Sequence, residues 1–247
     1  MADPLRLYGL KALVTNAADG IGEASARTLV KHGARVLAVD DINSGVEQHF
    51  ASVRGISGMA SNVSDAGNMA AVVDTAAAEL GGLDIVVNDF PVFVSEPLDD
   101  DERLAGLMTA RQEQIKALAA AAMPSLQRSP AGRLINVGMV RSLFAAGAEA
   151  AFSRAEQELA ALTRQIGADA GESGVTANYV QPGAIMTPVS RELFRKDTTL
   201  RDVCIAGSAA RRLGEPIDVA KVVLFLASED AAFVNGAGIA VDGGTDG

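Results

Sequence analysis

Short apolar runs alternate with stretches of helical periodicity almost from one end of the chain to the other. The runs Ala12–Thr15, Arg35–Asp40, Ile56–Ser61, Asp84–Asn88, Arg133–Val137, Thr176–Gln181 and Gly238–Asp242 read as strands. Between two of them, Met69, Val72, Val73, Ala76, Ala77 and Leu80 recur at the 3-and-4 spacing of an amphipathic helix. Val219–Ala227 reads as another helix, opened by Glu215-Pro216 with the proline near its first turn. Strands that alternate with helices predict an α/β fold, a parallel sheet covered on both faces. No repeat, low-complexity tract or linker divides residues 1–247, so a single domain is expected. The polar stretch Thr187–Ser208 breaks the rhythm. It holds a short helical segment and is expected to be a mobile flap over the C-terminal edge of the sheet.

Composition narrows the function classes. At 247 residues and 49% apolar, the chain can bury one substantial core, carried by Ala, Val and Leu because aromatics are sparse. A net charge of −10 argues against nucleic acid or an anionic membrane as partner. The single cysteine, Cys204, excludes an internal disulfide framework and a cysteine zinc site, and it reads as a small semi-buried side chain. No metal site is expected. The N-terminal MADPLRLYGLK has no long apolar core of a signal peptide, and no run approaches the ~18 apolar residues of a membrane span. The expectation is a cytoplasmic protein. His32 and His49 read as surface residues, Tyr179 as core, and Tyr8 has no catalytic context.

The first strand runs into NAADGIG and then a helix. Glycines at such a turn let the backbone approach a pyrophosphate, and the helix N-terminus favours its charge. The second strand ends in Asp40, an acid placed to hold ribose hydroxyls and repel a 2′-phosphate, which favours NAD over NADP. The turn TNAADGIG resembles the TGxxxGIG turn of the short-chain dehydrogenases/reductases, and the resemblance covers nearly the whole chain. Asn62-Val63 resembles the family's Asp-Val after the third strand, and Val87-Asn88-Asp89-Phe90-Pro91 stands where the family has Asn-Asn-Ala-Gly. Asn178 to Gly183 is similar to N-x-V-x-P-G, followed by Ile185 and Thr187 at the nicotinamide and phosphate positions. The resemblance implies a Rossmann-like doubly wound sheet of about seven parallel strands, with Asn16, Gly20, Ile21, Gly22, Asp40, Asn62, Val63, Asn88, Ile185 and Thr187 at cofactor positions. Several of these depart from the pattern. Asn16 replaces the first glycine, and Asp19 brings a carboxylate toward the anion site, though a helix N-cap is the preferred reading for it. Asn62 replaces an Asp, and Phe90-Pro91 replaces Ala-Gly, with Phe90 expected to reach into the groove. Together they predict weak NAD binding or none.

The family implies a Tyr that passes the proton, a Lys one helical turn on, a Ser that polarises the substrate oxygen, and an Asn on the preceding helix. Leu162-Thr163-Arg164 resembles the family's flank after the Lys, which puts Phe152 at the Tyr position and Glu156 at the Lys position. Gly132 to Val140 is similar to the strand that ends in Ser, with Met139 there, and counting back from Met123-Pro124 gives Arg111 at the Asn position. A second register puts Ala150 and Arg154 at the Tyr and Lys positions, and supplies no tyrosine either. Phe152 has no proton to give, and Glu156 raises rather than lowers a neighbouring acid's pKa. Met139 and Phe152 are expected to form an apolar plug, and Glu156 to pair with Arg111 or reach solvent. The leading expectation is a non-catalytic subunit in a homo- or hetero-oligomer with a related chain of the family, such as a hydroxyacyl-CoA-type dehydrogenase. Leu118–Ala122 and Leu159–Leu162 are the expected packing faces. The alternatives are an NAD-dependent oxidoreductase of secondary alcohols with non-standard groups, a lyase or isomerase using Glu156 as base, and a nucleotide-sensing binder.

Overall fold

The alternating pattern closes into one twisted sheet in the computed structural model, which describes residues 7–92, 101–140 and 149–245. Along the chain run β1 (Lys11–Thr15), α1 (Gly20–Lys31), β2 (Arg35–Asp40), α2 (Val46–Phe50), β3 (Ile56–Ala60), α3 (Met69–Leu80), β4 (Ile85–Asn88) and α4 (Asp101–Leu126). The second half adds β5 (Arg133–Val137), α5 (Glu149–Ala170), β6 (Thr176–Pro182), α6 (Pro188–Lys196), α7 (Thr198–Ala206), α8 (Pro216–Ala227) and β7 (Gly238–Val241). Among the described residues the seven strands are all parallel, in the order β3-β2-β1-β4-β5-β6-β7. This is the doubly wound α/β architecture that the strand–helix alternation predicts. The N-terminal residues on which the absence of a leader was argued, 1–6, lie outside the described residues.

The period-2 alternation of each strand sends its side chains to two different cores. Ala12, Val14, Val36, Ala38, Ile85 and Val87 pack under α1 and α8, with Leu29, Val219 and Val223. Leu13, Leu37, Val39 and Val86 face the opposite way, against Val72 and Val73 of α3, Ile115 and Leu118 of α4, and Leu159 of α5. The apolar segments Leu118–Ala122 and Leu159–Leu162 therefore spend most of their surface on this inner core: Leu118, Ala119, Ala122, Leu159 and Ala160 are buried there. Ala120 and Ala161 of the same segments remain exposed, and Ala121 and Leu162 are partly buried. A helix on a sheet offers its most apolar stripe to the sheet first.

β1 sits between β2 and β4, so the chain leaves the sheet centre in opposite directions on its two sides. The connections diverge there and open a crevice beyond the carboxyl ends of the strands. The stretch 187–208 is more regular than the expected flap. It forms two helices in succession, α6 and α7, each with a capping side chain. Thr187 Oγ1 accepts the Ser190 N–H at 3.2 Å, and Asp197 Oδ1 accepts the Leu200 N–H at 2.9 Å. The polar residues that broke the apolar rhythm are in part the caps that start these helices. α8 begins at Pro216 as expected, and Asp218 Oδ2 accepts the Glu215 N–H at 3.0 Å.

Candidate functional site

The crevice is an open cleft lined by Asn16, Asp19, Gly20, Ile21, Asp89, Pro91, Val92, Gly138, Met139, Val140, Thr187 and Val189. Four of the expected cofactor positions meet in it: Asn16, Gly20, Ile21 and Thr187. The others serve it from behind or stand away from it. Gly22 lies under the turn, where a Cβ would strike the Asn16 carbonyl, so only glycine fits. Asp40 is buried at the end of β2, and its carboxylate accepts the Ala18 N–H at 2.7 Å and the Asp41 N–H. It is thereby engaged in holding the glycine turn. Asn88 is buried at the end of β4 and donates to the Ile115 carbonyl of α4. Ile185 is buried and bridges to Gly214. Asn62 is exposed after β3, and its neighbour Val63 accepts the Gln114 amide at 3.1 Å.

The turn itself departs from a glycine design at Asn16. This residue adopts φ +50, in the left-handed region that Asn tolerates better than other side chains. Its Nδ2 donates to Asp89 Oδ2 at 3.3 Å. Asp19 stands at the N-cap of α1 in extended conformation, but its side chain makes no capping hydrogen bond. The preferred reading as a capping side chain is thus corrected: the carboxylate lines the cleft instead. Phe90 also differs from expectation. It turns away from the groove and is buried in the inner core beside α4, so only Pro91 of that pair lines the cleft. A benzyl side chain at a strand end gains more from that core than from a polar cleft.

Sequence reasoning passed over Asp89. The residue is 5% exposed, lines the cleft, and has no cation paired with its carboxylate among the described residues. Burial pushes it up to about 7; the Asn16 hydrogen bond and the Arg111 charge pull it down, while the charges of Asp40 and Asp19 push it further up. Asp19 is likewise raised, by burial first and then by Asp40 and Glu23. The signal was present in the chain, since Asn88-Asp89 stands where the family has two asparagines.

At the other end of the cleft, Met139 is buried with Val92, Met108 and Ala155, and Phe152 packs against this group. An apolar plug thus forms at the two positions that the resemblance assigns to Ser and Tyr. Glu156 does not reach solvent. It is buried, and its Oε1 accepts the Met139 N–H at 3.0 Å, tying α5 to the end of β5. Burial pushes the carboxyl up, partly offset by the Met139 N–H, the Arg111 charge and the Gln181 side chain. Gly138 makes room for it: a Cβ there would stand 2.6 Å from Glu156 Oε2.

Arg111 is buried on α4 and donates through Nε to the Phe90 carbonyl at 2.6 Å and through Nη2 to the Val137 carbonyl at 2.7 Å. Burial lowers its pKa, and the charges of Glu156 and Asp89 act against that. The expected direct ion pair between Glu156 and Arg111 is not formed. The two charges are neighbours that support each other through the field, while each spends its hydrogen bonds on main chain. Main-chain groups left unpaired at the strand ends are nearer and fixed, so they take the donors first.

Among the described residues, the cleft lining carries no Ser, Tyr or Lys. The hydroxyl of Thr187 is engaged with Ser190 at 3.0 Å. The tyrosines are elsewhere: Tyr8 is 73% exposed before β1, and Tyr179 is buried in β6. Among the described lining residues, the groups that can exchange a proton are the carboxyls of Asp19 and Asp89.

A doubly wound parallel sheet with a glycine turn after β1 and a cleft at its switch point defines a nucleotide-binding class of fold. Within that class, the chain belongs to the short-chain dehydrogenase/reductase family; the family model described as enoyl-(acyl carrier protein) reductase matches residues 16–246. It is 32% identical over 244 residues to the 3-oxoacyl-(acyl-carrier-protein) reductase FabG of Vibrio cholerae, covering 97% of this chain and 98% of that protein. It is 32% identical over 242 residues to cis-4-hydroxycyclohexanecarboxylate dehydrogenase of Sinomonas cyclohexanicum, covering 94% and 95%. A chain from Agrobacterium tumefaciens provisionally assigned as a gluconate dehydrogenase superposes with a TM-score of 0.86 at 25% identity, covering 98% of each. No described helix is long and apolar enough to cross a membrane.

The family implies a nicotinamide dinucleotide, and the cleft meets that implication with its backbone but not with its charge. Gly20, Gly22, the start of α1 and Thr187 are shaped for a pyrophosphate. Asp19 and Asp89 put two carboxylates at the same place.

Proposed function

We propose that this chain is a family member without the family's proton-transfer chemistry, kept as a subunit that associates with a related, catalytically competent chain. The observation that carries this reading is the plug. Met139 and Phe152 are packed with Val92, Met108 and Ala155 where two hydroxyls would face a substrate, and Glu156 is tied to the Met139 N–H where an ammonium would stand. A positioned acid or base contributes roughly 10²–10⁴-fold, and such groups act as a unit. Losing the Tyr, the Lys and the Ser together removes the route by which a hydroxyl proton would leave as hydride moves.

The test is turnover of NADH or NADPH with ketone substrates, a 3-oxoacyl thioester among them, on the isolated protein. The expected result is no rate above background. The triple replacement Met139→Ser, Phe152→Tyr, Glu156→Lys is expected to stay inactive, because the new lysine would lie beside the buried Arg111 charge. Robust turnover by the natural protein would overturn the reading. Turnover by the triple variant alone would show that the tetrad positions were all that was lost.

A second reading, an oxidoreductase that uses other groups on a secondary alcohol or ketone, is favoured by one observation. Relatives named as reductases and dehydrogenases match this chain over nearly its full length. In that reading the proton donor is a cleft carboxyl, Asp89 or Asp19. Asp89→Asn would then abolish turnover, whereas the first reading has no turnover to lose.

A further inference from the structure

The mismatch between the backbone and the charge of the cleft has a consequence of its own. Asp89 is enclosed at the end of β4, and among the described residues its carboxylate accepts one side-chain hydrogen bond, the 3.3 Å contact from Asn16. The charges that face it come from three elements. Asp19 stands at the start of α1 and Asp40 at the end of β2, both repelling it; Arg111 on α4 attracts it. Arg111 cannot swing over to neutralise it, because two of its donors are held at 2.6 and 2.7 Å by the carbonyls of Phe90 and Val137. Asp40 is held in turn by the Ala18 and Asp41 N–H groups, and Asp19 is itself influenced by Glu23 and His49. A buried carboxylate without a paired cation is costly, and the cheapest remedy is a proton.

We propose that the cleft admits the pyrophosphate of a dinucleotide only together with a proton taken from solvent by Asp89, so that this residue sets the pH at which the protein is loaded. The anion needs the N–H groups of the turn and the start of α1, and Asp89 and Asp19 line the same space. Protonated, Asp89 is a neutral neighbour and a hydrogen-bond donor. Ionised, it places a like charge beside two phosphates in a partly dry cleft, where repulsion is poorly screened. The proton goes to a carboxylate oxygen of Asp89 and returns to solvent on release; no bond of the dinucleotide changes. This inference concerns binding and does not require turnover. It holds for a chain that binds a dinucleotide without reacting it.

The test is calorimetric titration of the full protein with NAD between about pH 6 and pH 8, in two buffers of different ionisation enthalpy. Asp89 changes from mostly protonated to mostly ionised across this range, and affinity scales with the competent fraction. The expected result is about tenfold weaker binding at the upper end, with uptake of up to about one proton. Asp89→Asn restores the family's residue type at that position, and is expected to bind NAD with the same affinity across the range and without proton uptake. Asp19→Asn is expected to bind more tightly throughout while keeping a pH slope. Binding by the natural protein that is independent of pH, a slope that survives Asp89→Asn, or no NAD binding by either protein would each overturn the inference. None of these bears on the proposed lack of catalysis, which falls only if turnover is seen.

Discussion

At the scale of single residues, the site is governed by three buried charges. Asp89, Glu156 and Arg111 are all buried, and burial shifts each of them toward its neutral form. A stability prediction follows for Asp89. Its folded-state value of about 7 lies above the ordinary carboxylate value near 4. Between those values the folded chain holds a proton that the unfolded chain has released. Stability from this group is therefore fully present below about pH 4 and is lost as pH rises through about 7. Glu156 shifts in the same direction and adds to the slope. Thermal unfolding followed across this window should show falling stability for the natural protein. Asp89→Asn should flatten the curve and be the more stable protein above about pH 7, by an amount on the order of a few kcal/mol. A natural protein whose stability rises from pH 5 to pH 8 would contradict this. These charges were visible in the chain, but their burial was not. Glu156 on a helix reads equally as a solvated acid until α5 is seen to pack on β5.

At the scale of elements, the join between β5 and α5 is the contact that distinguishes this cleft. Gly138 and Met139 end the strand, Glu156 comes from the helix, and the three fit as a set: the carboxylate fills the space of the missing Cβ and holds the next N–H. Glu156→Lys puts an ammonium into this enclosed place beside Arg111 and leaves the Met139 N–H unpaired. The expected cost is about 3 kcal/mol or more. Gly138→Ala drives a methyl against Glu156 Oε2, at about 1–3 kcal/mol. In the background of Glu156→Ala the carboxylate clash is gone and only the Val180 carbonyl at 3.1 Å remains close, so the Gly138→Ala penalty should shrink and the two changes should couple by at least about 0.5 kcal/mol. Additive effects in denaturant melts would show that the contact is incidental. The strands and helices themselves were legible. The strands Arg35–Asp40 and Arg133–Val137 and the helix Met69–Leu80 stand where period and length put them, because an apolar run flanked by turns has few other solutions. The stretch 187–208 was less legible, because short capped helices carry little periodicity of their own.

At the scale of the whole molecule, the proposal of a partner rests on what the outer surfaces of α4 and α5 still offer once the inner core is filled. Ala117, Ala121, Leu162 and Ile166 remain only partly buried along these helices. Ala120 and Ala161 stand outward among Glu113, Lys116, Glu158 and Arg164. Small residues on two adjacent helices allow a second pair to approach closely, with the charges as a rim. Sedimentation at micromolar concentration is expected to show a dimer or larger species, alone or with a related chain of the family. Ala120→Arg with Ala161→Arg should disperse it without changing the melting temperature of the protomer by more than a few degrees. A natural protein that sediments as a monomer and pulls down no related chain would contradict the subunit reading.

The sequence by itself determined the architecture and the identity of the glycine turn, because these follow from local periodicity and from glycines set between a strand and a helix. It also placed Asp40 and Asp19 near the turn, since one ends the second strand and the other precedes the first helix. Only the tertiary structure decided where their side chains went. Phe90 chose the core, Asp19 the cleft rather than the cap, Arg111 two carbonyls rather than Glu156, and Glu156 the main chain of β5. Each choice was between partners far apart in the chain. It was settled by which unpaired main-chain group or apolar surface the packed sheet brought within reach, and periodicity along the chain holds no record of that.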